Sequence, residues 1–405
     1  MNTAQIIQAE HDFLAPTYTR PPFVLNSGKG CYLEDTDGKR YLDTGAGIAV
    51  NALGYGDDSL ARAMQQSAIG LIHTSNLYYN EPQIQLAQML VKNSFADKVF
   101  FANSGTEANE AAIKFARKFQ VENGNPDRKD IIAFYGSFHG RTMGALALTD
   151  SEKYQAPFRP LMPGVTFAEF NDMASVRHKI SKHTAAIIIE PIQGESGIHL
   201  ATTAFLQNLR QLCTDQGILL ICDEVQCGLG RTGKLWAHQH ASITPDLMTI
   251  AKPLAAGLPL GAVLMIDQVA SAMHTSEHGT TFGGGPFVCS VALHVLQRLC
   301  DPKFLSHVQT TGEDLMTKLK QLQSPLLKEV RGMGLMIGVE LTIDVGKVKK
   351  LAYEQGLILI QARDNVLRLI PPLIWGKAET EALLNRLTGL LIPELIAIEQ
   401  NGRQP

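Results

Sequence analysis

Lys252 closes the apolar run 248–251 and is followed by Pro253, Leu254 and the stretch AAGLPLGA, which offers its side chain no solvated direction. A lysine desolvated at a strand end favours the neutral amine, the form that condenses with a carbonyl to an imine. Asp223 and Glu224 follow the apolar run 218–222. Open α/β sheets bind ligands at the carboxyl ends of their parallel strands, and a carboxylate buried there needs a cation or hydrogen-bond donor as partner. At 103–112, NSGTEANEAA turns from a strand into a helix. The unpaired first amides and positive dipole end of such a helix suit a phosphate, although Ser or Thr followed by Glu is equally a plain capping pattern. At 135–142, YGSFHGRT sets Phe138, which can stack on a planar ring, beside Arg141, whose fork can grip a carboxylate. His139 and Arg141 also fit a merely solvated loop. Downstream, GTTFGGGP at 279–286 is a glycine-rich turn carrying two hydroxyls.

Other patterns imitate sites without the parts. GLGRTGK at 228–234 has the G-x-x-x-x-G-K spacing of an ATP-binding loop, but Leu235 stands where Ser or Thr would hold the metal, and no helix opens there. GMGLMIG at 332–338 is not the dinucleotide fingerprint. His238-Gln239-His240 lacks a third ligand, and none of the six cysteines has zinc or C-x-x-C spacing, so no metal site is expected.

The elements that must position these residues alternate in type. Apolar runs at 98–102, 131–135, 185–189, 218–222, 248–251 and 261–266 read as buried strands, and 107–120 and 206–215 read as helices. Strands apolar throughout and separated by helices indicate a parallel sheet covered on both faces. A long helical stretch is expected from 287 to 328, then a small mixed sheet from 330–341, 358–361 and 366–369, and a final helix over 377–398. Residues 30–33 and 40–43 form a hairpin around Asp37-Gly38, too small for a core of its own.

Composition removes whole classes. Net charge is 36 − 39 = −3, with 45% hydrophobic and 19% charged residues. No basic run suggests nucleic acid, and no stretch approaches the roughly 20 apolar residues of a membrane span. The start, MNTAQIIQAEHDF, lacks a basic-then-apolar export pattern, so a reduced, cytoplasmic setting is expected.

Taken together, SGTEANEAA, FHGRT, EPIQGE (190–195), DEVQCGLGRTG, AK and TTFGG occur in the order and spacing of the class III aminotransferases, which use pyridoxal phosphate. The resemblance runs from about 18 to 372. Within the class, GIAVNALG (47–54) and HTSNLYYNEPQ (73–83) look most like the acetylornithine aminotransferases. The chain departs from the usual pattern at Tyr55, Pro253 and Gly285, none of them a named catalytic group.

The resemblance implies a fold type I architecture: a large domain (46–290) with a mainly parallel seven-stranded sheet, and a smaller α+β domain (291–405) joined by the N-terminal segment (1–45). It implies that Lys252 carries the cofactor and moves the proton, and that Asp223 pairs with the pyridine nitrogen. Val225 and Phe138 would flank the ring, with Gln226 on its hydroxyl. Ser104, Gly105 and Thr106 would hold the phosphate, joined by Thr281 from the neighbouring subunit of a homodimer. His139 and Glu224 would complete the cofactor site. On the substrate side, Arg141 with Thr280 would take the α-carboxylate of an acylated ornithine, and Tyr18 would line the site. Arg368 would take that of glutamate and pair with Glu195 when the donor is not a 2-amino acid. The implied reaction converts N2-acetylornithine and 2-oxoglutarate to N-acetylglutamate 5-semialdehyde and glutamate. Succinylornithine, ornithine, 4-aminobutyrate and N-succinyl-diaminopimelate are the rival donors. An aminomutase, a decarboxylase or a nucleotide-dependent enzyme are the rivals of other kinds.

Overall fold

Unbroken apolar sequence makes central strands. In the computed structural model, which describes residues 1–392, Thr184–Ile189 (TAAIII) and Leu219–Asp223 (LLICD) are buried along their whole lengths. They lie in a seven-stranded sheet of order Lys98–Ala102, Gly261–Met265, Leu247–Ile250, Leu219–Asp223, Thr184–Ile189, Asp130–Phe134, Val165–Ala168. Gly261–Met265 is antiparallel to both of its neighbours, and the other pairings are parallel. The sheet is therefore mainly parallel, as expected.

Alternation along each strand feeds two cores. Ile188 and Ile221 face the helix Gly105–Glu122, which inserts Ala108, Ala111, Ala112 and Phe115. Ile187, Leu220 and Cys222 face the helix Thr203–Gln216 through Phe205, Leu209 and Cys213. Each fully buried Ile or Leu contributes roughly 1.5–3 kcal/mol. The consequence for function is directional: Ala102, Phe134, Ile189, Asp223 and Ile250 all end at one edge of the sheet.

The rest of the chain is built from both ends. Leu25–Lys29, Tyr32–Asp35 and Arg40–Asp43 form antiparallel strands whose sheet is completed by a parallel fourth strand, Leu357–Ile358. Leu327–Met333, Met336–Leu341, Val366–Leu369 and Ile360–Ala362 form a separate antiparallel sheet.

Several expected elements are redrawn. The helical stretch 287–328 is two helices, Pro286–Leu299 and Pro302–Lys320, because Asp301 caps the Lys303 amide at 2.9 Å and Pro302 opens a new first turn. Residues 330–341 are two strands reversing at Gly334, whose φ of +54° suits glycine. The run 358–361 is shared between the two smaller sheets. Helices Thr3–Phe13, Asp58–Ile69 and Glu81–Lys92 are additions. The final helix is Lys377–Leu390, and the expected continuation beyond 392 lies outside the described residues.

Candidate active site

A cavity of about 410 Å³ opens at the carboxyl edge of the large sheet. Helix Gly105–Glu122 starts there directly after strand Lys98–Ala102, so Ser104, Gly105 and Thr106 line one wall. Ser104 caps the helix by accepting from the Glu107 amide at 3.2 Å, while Glu107 accepts from the Asn103 amide at 2.7 Å. The capping pattern is thus realised, and it fixes the helix start against the cavity. Gly105 is required: a Cβ there would lie 2.7 Å from Val225 Cγ1.

Asp223 is the hub of the floor. Its Oδ2 accepts from Asn109 Nδ2 at 2.8 Å and from His139 Nδ1 at 2.7 Å, and its Oδ1 accepts from the Val225 amide at 3.0 Å. Asn109 also donates to the His139 carbonyl at 2.7 Å, locking the loop to the helix. Burial opposes a charge on His139, but the hydrogen bond and charge of Asp223 outweigh it and raise its pKa. His139 is therefore buried, not solvated. Asn109 Oδ1 and His139 Nε2 are buried and have no partner among the described residues. Glu190, at the end of the neighbouring strand, accepts from the Phe138 amide at 3.0 Å. Burial, reinforced by the Asp223 charge, raises its pKa.

Lys252 stands half-buried at the cavity wall, after the strand that pairs with the Asp223 strand. Burial lowers its pKa, which favours the neutral amine. Phe138, Val225 and Gln226 line the same cavity.

Two arginines are in opposite states. Arg368, 2% exposed, donates Nη1 to Glu195 Oε1 at 2.5 Å and to Gln226 Oε1 at 3.1 Å. Burial tends to raise the Glu195 carboxyl, but Arg368 holds it below its usual value. Arg141 lies over the Tyr154 ring, 3.5 Å from the centroid, and 5.6 Å from that of Phe138. Among the described residues it has no carboxylate partner, so its fork is open to a ligand.

Four expected residues are not part of this cluster. Glu224 points away from the cavity, its side chain 0% exposed and bonded to the Ala237 amide at 2.6 Å, the His238 amide at 2.8 Å and His238 Nδ1 at 2.7 Å. Thr280 does not line the cavity: its Oγ1 accepts from the cavity-lining Asn103 Nδ2 at 3.3 Å and from the Gly283 amide at 3.2 Å. Thr281 is exposed. Tyr18 is 75% exposed beneath Arg20. Asn109, Glu190 and Tyr154 were given no role by the sequence patterns. Asn109 was visible as a polar residue on an alanine face, one helical turn after Gly105.

The imitations resolve structurally. His238 serves Glu224, and His240 Nε2 lies 3.1 Å from Thr232 Oγ1, both within or beside a short 3-10 turn. Arg231 is buried, donating to the carbonyls of Leu335 at 3.0 Å and Pro371 at 2.5 Å, and burial pushes its pKa down to about 9. No group of metal-ligating side chains occurs among the described residues, and none of their helices is long and apolar enough to cross a membrane.

Comparison with known proteins places the whole chain in one family. The model of the family described as aminotransferase class-III matches residues 13–391. The mitochondrial acetylornithine aminotransferase of Alnus glutinosa is 49% identical, over 98% of this chain and 89% of that one. The acetylornithine aminotransferase of Methanocaldococcus jannaschii is 45% identical, over 96% and 98%. Among solved structures, ornithine aminotransferase from Toxoplasma gondii superposes with a TM-score of 0.93 at 29% identity, covering 99% of this chain and 96% of its own. Acetylornithine aminotransferase from Elizabethkingia anophelis gives 0.86 at 29% identity, covering 96% and 99%.

Proposed function

The chain belongs to the class-III aminotransferases, and from that premise we propose that it transfers the terminal amino group of N2-acetylornithine to 2-oxoglutarate, in the cytoplasm, as a step of arginine biosynthesis. The products are N-acetylglutamate 5-semialdehyde and glutamate. The observation that carries the use of two differently shaped carboxylate donors is the pair of arginines, one open on aromatic rings and one closed by a carboxylate. Relatives at 42–49% identity that bear the acetylornithine name support the donor.

Enzymes of this class work with pyridoxal phosphate, and the cavity suits it. The start of an 18-residue helix would take the phosphate at Ser104, Gly105 and Thr106. Val225 and Phe138 would flank the ring, Gln226 would meet its hydroxyl, and Lys252 would hold the carbonyl carbon. The unpartnered Asn109 Oδ1 and His139 Nε2 mark a floor built around a polar ligand. When bound, the cofactor supplies an electron sink for the carbon that loses its proton.

Everything else is done by side chains. Asp223, oriented on both oxygens by three donors, would face the ring nitrogen as its hydrogen-bond acceptor and so favour the nitrogen's protonated form. Lys252 Nζ, whose pKa burial lowers, would be freed when the donor's amine takes its place and would then move the proton that the amine-bearing carbon loses. Arg141 takes the α-carboxylate of acetylornithine, so that the terminal amine is the end presented to Lys252. Arg368 stays covered by Glu195 during that half of the cycle. In the other half the α-carboxylate of glutamate or 2-oxoglutarate displaces Glu195, which is the more exposed member of the pair at 34% against 2%.

A second copy of the chain completes the site. Thr281 sits on an exposed apolar rim with Phe282, 66% exposed, and near-fully exposed Leu77 and Tyr79, which supports a homodimer in which Thr281 reaches the neighbour's phosphate site. With it goes a division at 45 and 290 into a large cofactor-binding domain and a smaller one built from both chain ends. Thr280 and Tyr18, at the margins of the single chain, would line the donor side of the assembled site. Steady-state assays with acetylornithine, succinylornithine, ornithine and 4-aminobutyrate, each with 2-oxoglutarate, test the proposal. The highest kcat/KM is expected for acetylornithine, and a preference for free ornithine or 4-aminobutyrate would overturn it.

A further inference from the structure

Gln226 is bonded to Arg368 of the ion pair and lines the cavity that holds Lys252. Its Oε1 accepts from Arg368 Nη1 at 3.1 Å. The backbone of Gly194, immediately before Glu195, presses on the same group: a Cβ there would lie 2.2 Å from Oε1 and 2.8 Å from Nε2. The carboxamide also helps hold Glu195 ionised, after the larger effect of Arg368. A primary amide has one acceptor oxygen and an NH2 with two hydrogens. Committing the oxygen to Arg368 settles which way the amide faces and leaves a hydrogen for a ligand in the cavity. At 7% exposure, water does not supply an alternative partner for a flipped amide.

We propose that Gln226 is a positioning residue that couples the Arg368–Glu195 pair to the cofactor: Arg368 fixes the orientation of the Gln226 amide, and through it the hydrogen bond to the ring oxygen. This rests on the aminotransferase proposal above and adds to it a route by which carboxylate binding at Arg368 is felt at the reacting ring. A donor on the ring oxygen withdraws electron density that would otherwise hold the neighbouring proton. Losing that donor therefore raises the pH at which the bound cofactor's visible absorption band changes.

The test follows that midpoint in holoenzyme across pH. Gln226→Leu is expected to raise it by about 0.5–1 pH unit, the size of one neutral hydrogen bond. Gln226→Met, closer in shape to glutamine, is expected to do the same if the leucine variant folds poorly. Arg368→Lys keeps the charge but loses the fork, and is expected to give most of the same rise. The double variant Gln226→Leu/Arg368→Lys is expected to match Gln226→Leu alone. Shifts that add, or an Arg368→Lys midpoint equal to wild type, would overturn the coupling. A wild-type band with an unmoved Gln226→Leu midpoint would overturn it as well, while leaving the function proposed above intact. A wild-type protein that takes up no pyridoxal phosphate would instead remove that function and this inference together.

Discussion

Replacing Glu195 by Gln keeps the shape of the ion pair and removes its charge. Arg368 is 2% exposed and bonded to Glu195 at 2.5 Å, so glutamate must displace a charged partner before its own carboxylate can dock. A hydrogen bond between charged groups nets about 1.5–3 kcal/mol and a neutral one about 0.5–1.5. Arg368 keeps its charge in the variant, so the difference between the midpoints of those ranges, about 1.2 kcal/mol or nearly tenfold in binding, is the upper end of the expected gain. In Glu195→Gln the half-saturation for glutamate is therefore expected to fall by up to about tenfold. Acetylornithine behaves differently, because its carboxylate can now dock the wrong way round on the uncovered Arg368. Its maximal rate and half-saturation are expected to fall together, with their ratio nearly unchanged. Single-turnover spectra with each donor alone, over a range of concentrations, separate these terms. Unchanged glutamate saturation, or an equal loss of rate for both donors, would refute the displacement of Glu195.

Other residues give sharper physical tests. Gly105→Ala introduces a Cβ 2.7 Å from Val225 at the first turn of a helix, where Ala is otherwise the better helix former by about 1 kcal/mol. It is expected to weaken cofactor retention in equilibrium dialysis by tenfold or more; wild-type retention would show that the wall yields. Glu340, between Lys328 and Arg331, has its carboxyl lowered to about 2 by both cations. Since its folded value lies below the unfolded one, its stabilisation is present above the unfolded value of about 4.5 and fades as pH falls toward 2. The gap in melting temperature between wild type and Glu340→Gln is expected to be open at pH 7 and to narrow at pH 3, and a gap independent of pH would contradict this.

Local pattern carried much of the fold because the strands of a covered parallel sheet must be apolar throughout, as Thr184–Ile189 is. Asp223 could be placed at a strand end from the same pattern. Glu224 could not be separated from it by type, only by geometry: successive strand residues face opposite sides, so one carboxylate floors the cavity while the next caps a turn behind it. Asn109 and Tyr154 escaped because their partners, Asp223 and Arg141, lie 114 and 13 positions away in sequence. The helix Glu81–Lys92 was marked by Asn80 and Pro82, a cap and first-turn proline that no chemistry had drawn attention to. Thr281 is the opposite case: no property of one chain places it in a site, and only a second copy would.

In the proposed reaction two differently shaped donors are held by two different arginines. Arg141→Leu measures it most directly, because Arg141 rests on Tyr154 and Phe138 and takes no part in the Arg368 pair. In single turnovers with each donor alone, the half-saturation for acetylornithine is expected to rise at least about tenfold, the loss of one charge-assisted contact, while that for glutamate stays within about twofold. An equal rise for both donors, or none for acetylornithine, would contradict the assignment of one carboxylate to each guanidinium.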